Sequence, residues 1–300
     1  MGIDAAHYHA WSGRLGQGIV GTWRGTAAVV RTTLTQVLRR KAYWVIYAVG
    51  ISQFLVYWAV IYALTQMQVP PEMQRGMLRT FGFSPDAADP QDTGYLDFME
   101  QQSFIVMILL AFCGSLVVGS DFREGVLPFY LSRRLDRRHY IAGKLLAIAG
   151  LVWLLTVLPA LMLFVEYGMF TTSYDYWLAN WRVVPSVLGY GLVLGAVLSL
   201  WLTAASAYLQ KLAPIAVVWS SLFVLFAALA NLLRTETGVR EWQLLDPWRD
   251  IRLAGRLFFG EFRTRSDREL STTAAWLLAA VSAVALIALV RKVRAVEVAA

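Results

Sequence analysis

Six stretches of this chain contain no Asp, Glu, Lys or Arg: Ala42 to Pro71, Gln101 to Ser120, Leu145 to Val165, Val183 to Gln210, Leu212 to Leu233 and Leu270 to Val290. Each reaches the ~20 residues a helix needs, at 1.5 Å per residue, to cross ~30 Å of hydrocarbon. In lipid, only helices and closed barrels satisfy their own backbone polar groups. The runs lack the alternating apolar pattern of barrel strands, so they read as six transmembrane helices. Charged residues make up only 16% of the chain, against about a quarter in soluble domains. The lone cysteine, Cys113, lies inside the second run, so no disulfide within the chain is possible.

The expected fold is an all-α integral membrane protein with spans at about 43–65, 102–120, 141–165, 183–209, 213–233 and 271–291. Residues 1–41 form a basic cytoplasmic N-terminal tail and amphipathic helix without the apolar core of a cleavable signal, 42–292 the six-helix domain and 293–300 a cytoplasmic tail. Basic residues cluster before the first span, between spans two and three, and after span six. Placing those segments in the cytoplasm satisfies the positive-inside tendency and puts both termini inside. One loop opposes this arrangement. Arg234, Arg240, Arg249, Arg252, Arg256, Arg263, Arg265 and Arg268 then lie outside, accompanied by Glu236, Glu241, Asp246, Asp250, Glu261, Asp267 and Glu269.

Two segments read as interfacial helices. Trp23, Ala27, Val30, Leu34 and Val37 recur at helical spacing, with Arg24, Arg31, Arg39 and Arg40 elsewhere on the helix. This is the pattern of a basic amphipathic helix on an anionic membrane surface. In the last loop, Asp246 and Pro247 can open a helix whose expected apolar face is Trp248, Ile251, Gly255, Phe258 and Phe262.

Most catalytic chemistry finds no residues to support it. The histidines are His7, His9 and His139, with no H-E-x-x-H, and no G-x-S-x-G elbow exists. His7 and His9 with Asp4 are better read as a disordered terminus than as a metal site, and no cofactor is expected. Gly143-Lys144-Leu145 lacks the upstream glycine and the Ser or Thr of a phosphate loop. The charge-free runs offer no ion relay, and the net charge of +7 reads as loop charge rather than a nucleic-acid surface. Span four carries a stripe of small residues, Gly191, Gly195, Ser199, Thr203 and Ala207, suited to close helix packing, chiefly within the chain.

The segment between spans two and three is more specific. It runs Asp121-Phe122-Arg123-Glu124-Gly125-Val126-Leu127 through Phe129-Tyr130-Leu131-Ser132-Arg133-Arg134 to Arg137, Arg138, Tyr140, Gly143 and Lys144. Charges beside exposed aromatics and leucines suit a docking surface. At Glu124, Gly125, Leu127, Leu131, Ser132, Arg137, Tyr140, Gly143 and Lys144 this segment resembles the coupling loop of permease subunits of the type-2 ABC exporter family. Arg134 stands where that family has proline, and Val126 where it has threonine.

The resemblance implies a bacterial inner-membrane permease coupled through residues 120–143 to a separate ABC ATP-binding subunit, with a second permease chain completing the path. It implies ATPase contacts at Asp121, Arg123, Glu124, Phe129, Arg134, Arg137 and Arg138. It also points to a translocation path along spans two and five, at Ser103, Cys113, Ser115, Trp219 and Ser220. The rival readings are a non-transporting membrane scaffold or sensor and a secondary carrier.

Overall fold

The computed structural model describes residues 19–83, 94–114, 119, 121, 137–171, 174–262 and 264–299. Among them every regular element is helical. In chain order these are α1 (Ile19–Leu38), α2 (Lys41–Gln66), α3 (Pro71–Phe81), α4 (Gly94–Gly114), α5 (Arg137–Leu155), α6 (Val157–Thr171), α7 (Tyr174–Ala179), α8 (Val183–Leu209), α9 (Leu212–Thr237), a 3-10 turn at Arg240–Leu245, α10 (Pro247–Phe259) and α11 (Arg265–Ala299). Six helical stretches are long and apolar enough to cross a bilayer: Lys41–Gln66, Gly94–Phe112, Arg138–Thr171, Val183–Leu209, Leu212–Thr237 and Arg265–Arg294. The protein is a multi-pass membrane protein.

Two span boundaries differ from the expected ones for identifiable reasons. The second helix begins at Gly94 rather than near residue 102, so Asp97 and Glu100 are helical. A charge-free criterion stops at Gln101 because it cannot see that Glu100 is neutralised by a distant arginine. The third span continues to Thr171 and therefore contains Glu166, so the spans are not free of charge as the run boundaries implied. It is broken at Thr156, where α5 ends and α6 begins. Pro159 causes the break: it has no N–H for the Leu155 carbonyl, and its ring crowds that carbonyl. On either side the ladder resumes, with Thr156 N donating to Val152 O at 3.0 Å and Ala160 N to Thr156 O at 3.1 Å.

The helix α1 is amphipathic in a different register from the expected one. Its buried residues are Thr26, Val29, Thr33 and Val37, which pack on α5. The expected stripe of Ala27, Val30 and Leu34 instead joins Trp23, Leu38 and Leu146 around an open groove. One face of α1 is spent on the protein and the adjacent one borders the groove.

The bundle centre is α8, which packs on α5, α10, α11, α4 and α6. The small stripe explains how. A side chain at Gly191 would collide with Val157, and the Cβ of any residue at Gly195 would lie 2.5 Å from the Trp153 indole nitrogen. Trp153 then uses that nitrogen to donate to the Gly191 carbonyl at 2.7 Å. Ser199 and Thr203, on the same stripe, are buried as well. The stripe packs within the chain. At the end opposite the connector, Tyr57, Phe83, Phe98, Tyr95, Phe164, Tyr167 and Tyr176 interlock mostly edge to face, and the Tyr95 and Tyr176 hydroxyls share a hydrogen bond.

Candidate functional site

At the connector end, Asp121, Tyr140 and Lys144 form a clasp. Lys144 Nζ lies 2.8 Å from Asp121 Oδ2, and both side chains are nearly inaccessible. The Tyr140 hydroxyl donates to the same carboxylate oxygen at 2.8 Å, and the Lys144 ammonium sits 5.6 Å from the Tyr140 ring centroid. Tyr140 and Lys144 are four residues apart, so one face of α5 presents both. Gly143, one residue earlier, turns toward α1: a Cβ there would be 2.6 Å from Val29 Cβ and 3.1 Å from the Thr26 carbonyl. The Gly-Lys pair therefore does two jobs, admitting α1 and holding Asp121.

The connector is tied to a third element as well. A Cβ at Gly119 would lie 2.6 Å from the Gln210 carbonyl, in the turn between α8 and α9. Gln210 itself has φ 59°, and its amide donates to Ser206 O at 3.1 Å, ending α8. The start of the connector thus bears on α5 and the α8–α9 turn, and α5 in turn packs on α1.

This placement changes the reading of Asp121. It is buried against its own chain, which suits an anchor for the connector rather than an exposed contact with a partner. Arg138 is exposed at the start of α5, and the backbone of Arg137 lies in that first turn. Arg123, Glu124, Phe129 and Arg134 lie outside the described residues.

Of the expected path residues, Ser103 and Trp219 are both buried inside the chain. The Ser103 hydroxyl donates to Glu100 O at 2.9 Å, and Trp219 Nε1 donates across to Met107 O at 3.0 Å. The Ser103 bond lies within α4, whereas Trp219 fastens α9 to α4. Ser220 is exposed on α9. Cys113 is in the last turn of α4, and Ser115 lies outside the described residues.

A second buried charge cluster, built from residues far apart in sequence, joins α4, α10 and α11. Glu100 accepts from Arg256 Nε at 2.8 Å and from Arg256 Nη2 at 3.2 Å, a fork-shaped pairing. Arg256 Nη1 donates to Asp267 Oδ2 at 3.2 Å, and Arg249 Nη2 to Asp267 Oδ1 at 2.7 Å. Two carboxylates and two guanidiniums thus join α4, α10 and α11, with Glu100, Arg256 and Asp267 each less than a tenth exposed. Burial alone works to lower the Arg256 pKa. The hydrogen bonds and charge of Glu100, with Asp267 and Asp97, outweigh it and hold the value above an ordinary arginine.

The helix α10 is held among the spans on several sides. Asp246 caps it by accepting from Trp248 N at 3.0 Å and Arg249 N at 3.2 Å, as its sequence implies. Gly255 abuts the Tyr190 ring, and Ser186 Oγ donates to Phe258 O at 2.7 Å. Trp248 reaches Phe104 of α4 and Phe223 near the middle of α9. The helix is more deeply inserted than its expected apolar face allowed: Ile251 and Gly255 are buried, but so are Asp250 and Arg256, and Phe258 is exposed.

Asp250 supplies a pH prediction. Burial first, and the charge of Asp246 second, push its carboxyl up to about 8, against a smaller opposing pull from Arg249. The folded state therefore favours the protonated acid. That preference contributes fully below the ordinary carboxylate pKa and is lost as pH rises toward about 8. Asp250→Asn is expected to melt higher than the parent chain at pH 8.5, with the difference vanishing near pH 4. Thermal unfolding in detergent across that range checks it, and parallel curves at all pH values contradict it.

Among the described residues, no group of His, Cys, Asp and Glu is arranged to hold a metal ion. No protein-family model matches the chain, and no curated protein is similar to it.

Proposed function

We propose that this chain is the membrane-spanning permease half of an ATP-driven exporter. A separate ATP-binding subunit engages the connector at residues 120–143, and a second permease chain, identical or related, completes the translocation path. The observation that carries the reading is the clasp. A segment rich in charge and aromatics leaves the membrane from an anchor, Asp121, that is locked to α5 by Lys144 and Tyr140. A push on that segment is delivered to α5 and the α8–α9 turn, and through α5 to α1, which is what a rigid-body rocking of spans requires.

Helix exposure supports a path formed between chains rather than within one. The most apolar window of Gly94–Phe112 is 67% buried, whereas those of Leu212–Thr237 and Arg265–Arg294 are 17% buried. The weakly buried helices have faces available for lipid and for a second copy. With Ser103 and Trp219 inside, the exposed Ser220 and Phe104, Ile108 and Phe112 are the residues of α9 and α4 that can face such a path.

The test is purification of the tagged chain from its native membranes followed by assay of nucleotide hydrolysis. A protein with a Gly-x-x-x-x-Gly-Lys-Ser/Thr motif is expected to accompany it and to hydrolyse ATP. The paired reversal Arg123→Glu with Glu124→Arg is expected to remove that protein while the chain still inserts. Unchanged co-purification and hydrolysis in the reversed variant would overturn the assignment of the connector as the coupling site.

A further inference from the structure

The Thr171 end of α6 holds a carboxyl group that the transport reading does not use. Both Glu166 oxygens are buried, and neither accepts a hydrogen bond from any described residue. Glu166 opens onto a groove of about 450 Å³ between α2 and α6, whose other walls are Trp58, Leu158, Leu161, Met162, Val165, Met169 and Phe170. A second groove of about 430 Å³ shares Leu158 and Leu161 and continues along Val157, Leu154 and Trp153 to Gly150. Together they make one furrow that follows the third span past its kink. From Gly150 to Glu166 this covers about 24 Å of helix axis at 1.5 Å per residue. That exceeds the depth of one leaflet, about half of the ~30 Å hydrocarbon core.

We infer that this furrow is a binding site for a membrane lipid with a primary-amine head group. Its tail lies along Leu161, Leu158 and Val157, and its ammonium donates to Glu166. Three observations favour that occupant. The furrow walls are almost wholly apolar, which suits a tail and offers nothing to a soluble ligand. A buried carboxyl without donors is costly, and an ammonium supplies three N–H groups and the opposite charge. The depth is also right: α6 ends about 8 Å beyond Glu166, and Trp58 stacks on Tyr62 at 5.8 Å, with Tyr62 against Phe170 at 5.6 Å. Such an aromatic belt marks the level of lipid head groups. A quaternary ammonium has the charge but no N–H to give, so the site distinguishes amine from choline lipids.

This inference needs only the membrane fold, and its test needs no ATP-binding subunit, so its failure leaves the transport proposal standing and the reverse also holds. Purified chain is stripped of lipid in detergent and titrated with phosphatidylethanolamine or phosphatidylcholine of identical tails, with bound lipid counted by native mass spectrometry. The parent chain is expected to prefer the ethanolamine lipid by about tenfold, the scale of one charge-assisted hydrogen bond. Glu166→Gln is expected to bring that ratio close to one while tail-dependent binding persists. Leu158→Trp, which fills the furrow from an exposed position, is expected to reduce binding of both lipids. An absent preference in the parent chain, as when a basic side chain from a second copy already occupies Glu166, would overturn the inference. So would an unchanged ratio in Glu166→Gln, or undiminished binding in Leu158→Trp.

Discussion

Arg256→Ala is expected to be among the most destabilising single substitutions in this protein, at a cost of about 3–5 kcal/mol. The side chain is the centre of a buried network: Glu100 loses two bonds and Asp267 loses one. Solvent can do little to compensate, because the Arg256 and Glu100 side chains are each only 7% accessible. The pair itself is not a large net source of stability, since two ions were taken out of water to make it. Replacing both members with apolar residues of similar size, Arg256→Met with Glu100→Leu, is therefore expected to recover most of the loss. Equilibrium unfolding of the two single variants and the double variant measures the coupling directly. A loss in the double variant equal to the sum of the two single losses would mean that the Arg256 guanidinium and the Glu100 carboxylate do not depend on each other. The network also fixes where α10 sits, so Arg256→Ala should free Trp248 from its contacts with Phe104 and Phe223.

The second large effect is expected at the opposite end of the bundle. Lys144→Ala strips Asp121 of its cation in a site where both side chains are almost fully covered. The expected cost is again about 3–5 kcal/mol. The informative variant is the double one, Lys144→Met with Asp121→Leu. It removes the charges together and is expected to fold nearly as well as the parent chain. If the clasp serves only stability, this variant keeps ATP-driven transport. On the present account it loses transport, because the connector is no longer locked to α5 and its motion is not passed on. Stability and transport measured on the same preparation separate the two outcomes.

The span count was legible because the hydrocarbon imposes a length and a composition that every crossing must meet. The α10 cap was legible because Asp followed by Pro is a local signal, and Asp246 accepts from Trp248 N and Arg249 N. The small stripe in α8 could be read as a packing surface, but its partner residues, Trp153 and Val157, could not be named from spacing. What failed to show was long-range electrostatics. Glu100 and Arg256 are far apart in sequence, and only folding makes the acid an interior residue of a span. The register of α1 was misjudged for a related reason. Its apolar residues satisfy two adjacent faces, and which face meets α5 depends on Gly143, a residue in another helix. In the clasp, the Gly143 and Lys144 positions were visible through the resemblance, whereas their joint work on Val29 and Asp121 became visible only in three dimensions.

Coupling to an ATP-binding subunit requires the connector and the Arg-rich loop to lie on opposite faces of the membrane, with the connector in the cytoplasm. Accessibility labelling tests that most directly. In a Cys113→Ser background, Ser132→Cys reports on the connector and Glu236→Cys, at an exposed position beside the α9 terminus, reports on the other side. A membrane-impermeant thiol reagent added to intact cells is expected to label the second variant and spare the first, with the pattern reversed in inside-out vesicles. Labelling of Ser132→Cys from outside intact cells would put the connector beyond the reach of any ATP-binding subunit and contradict the account at its base.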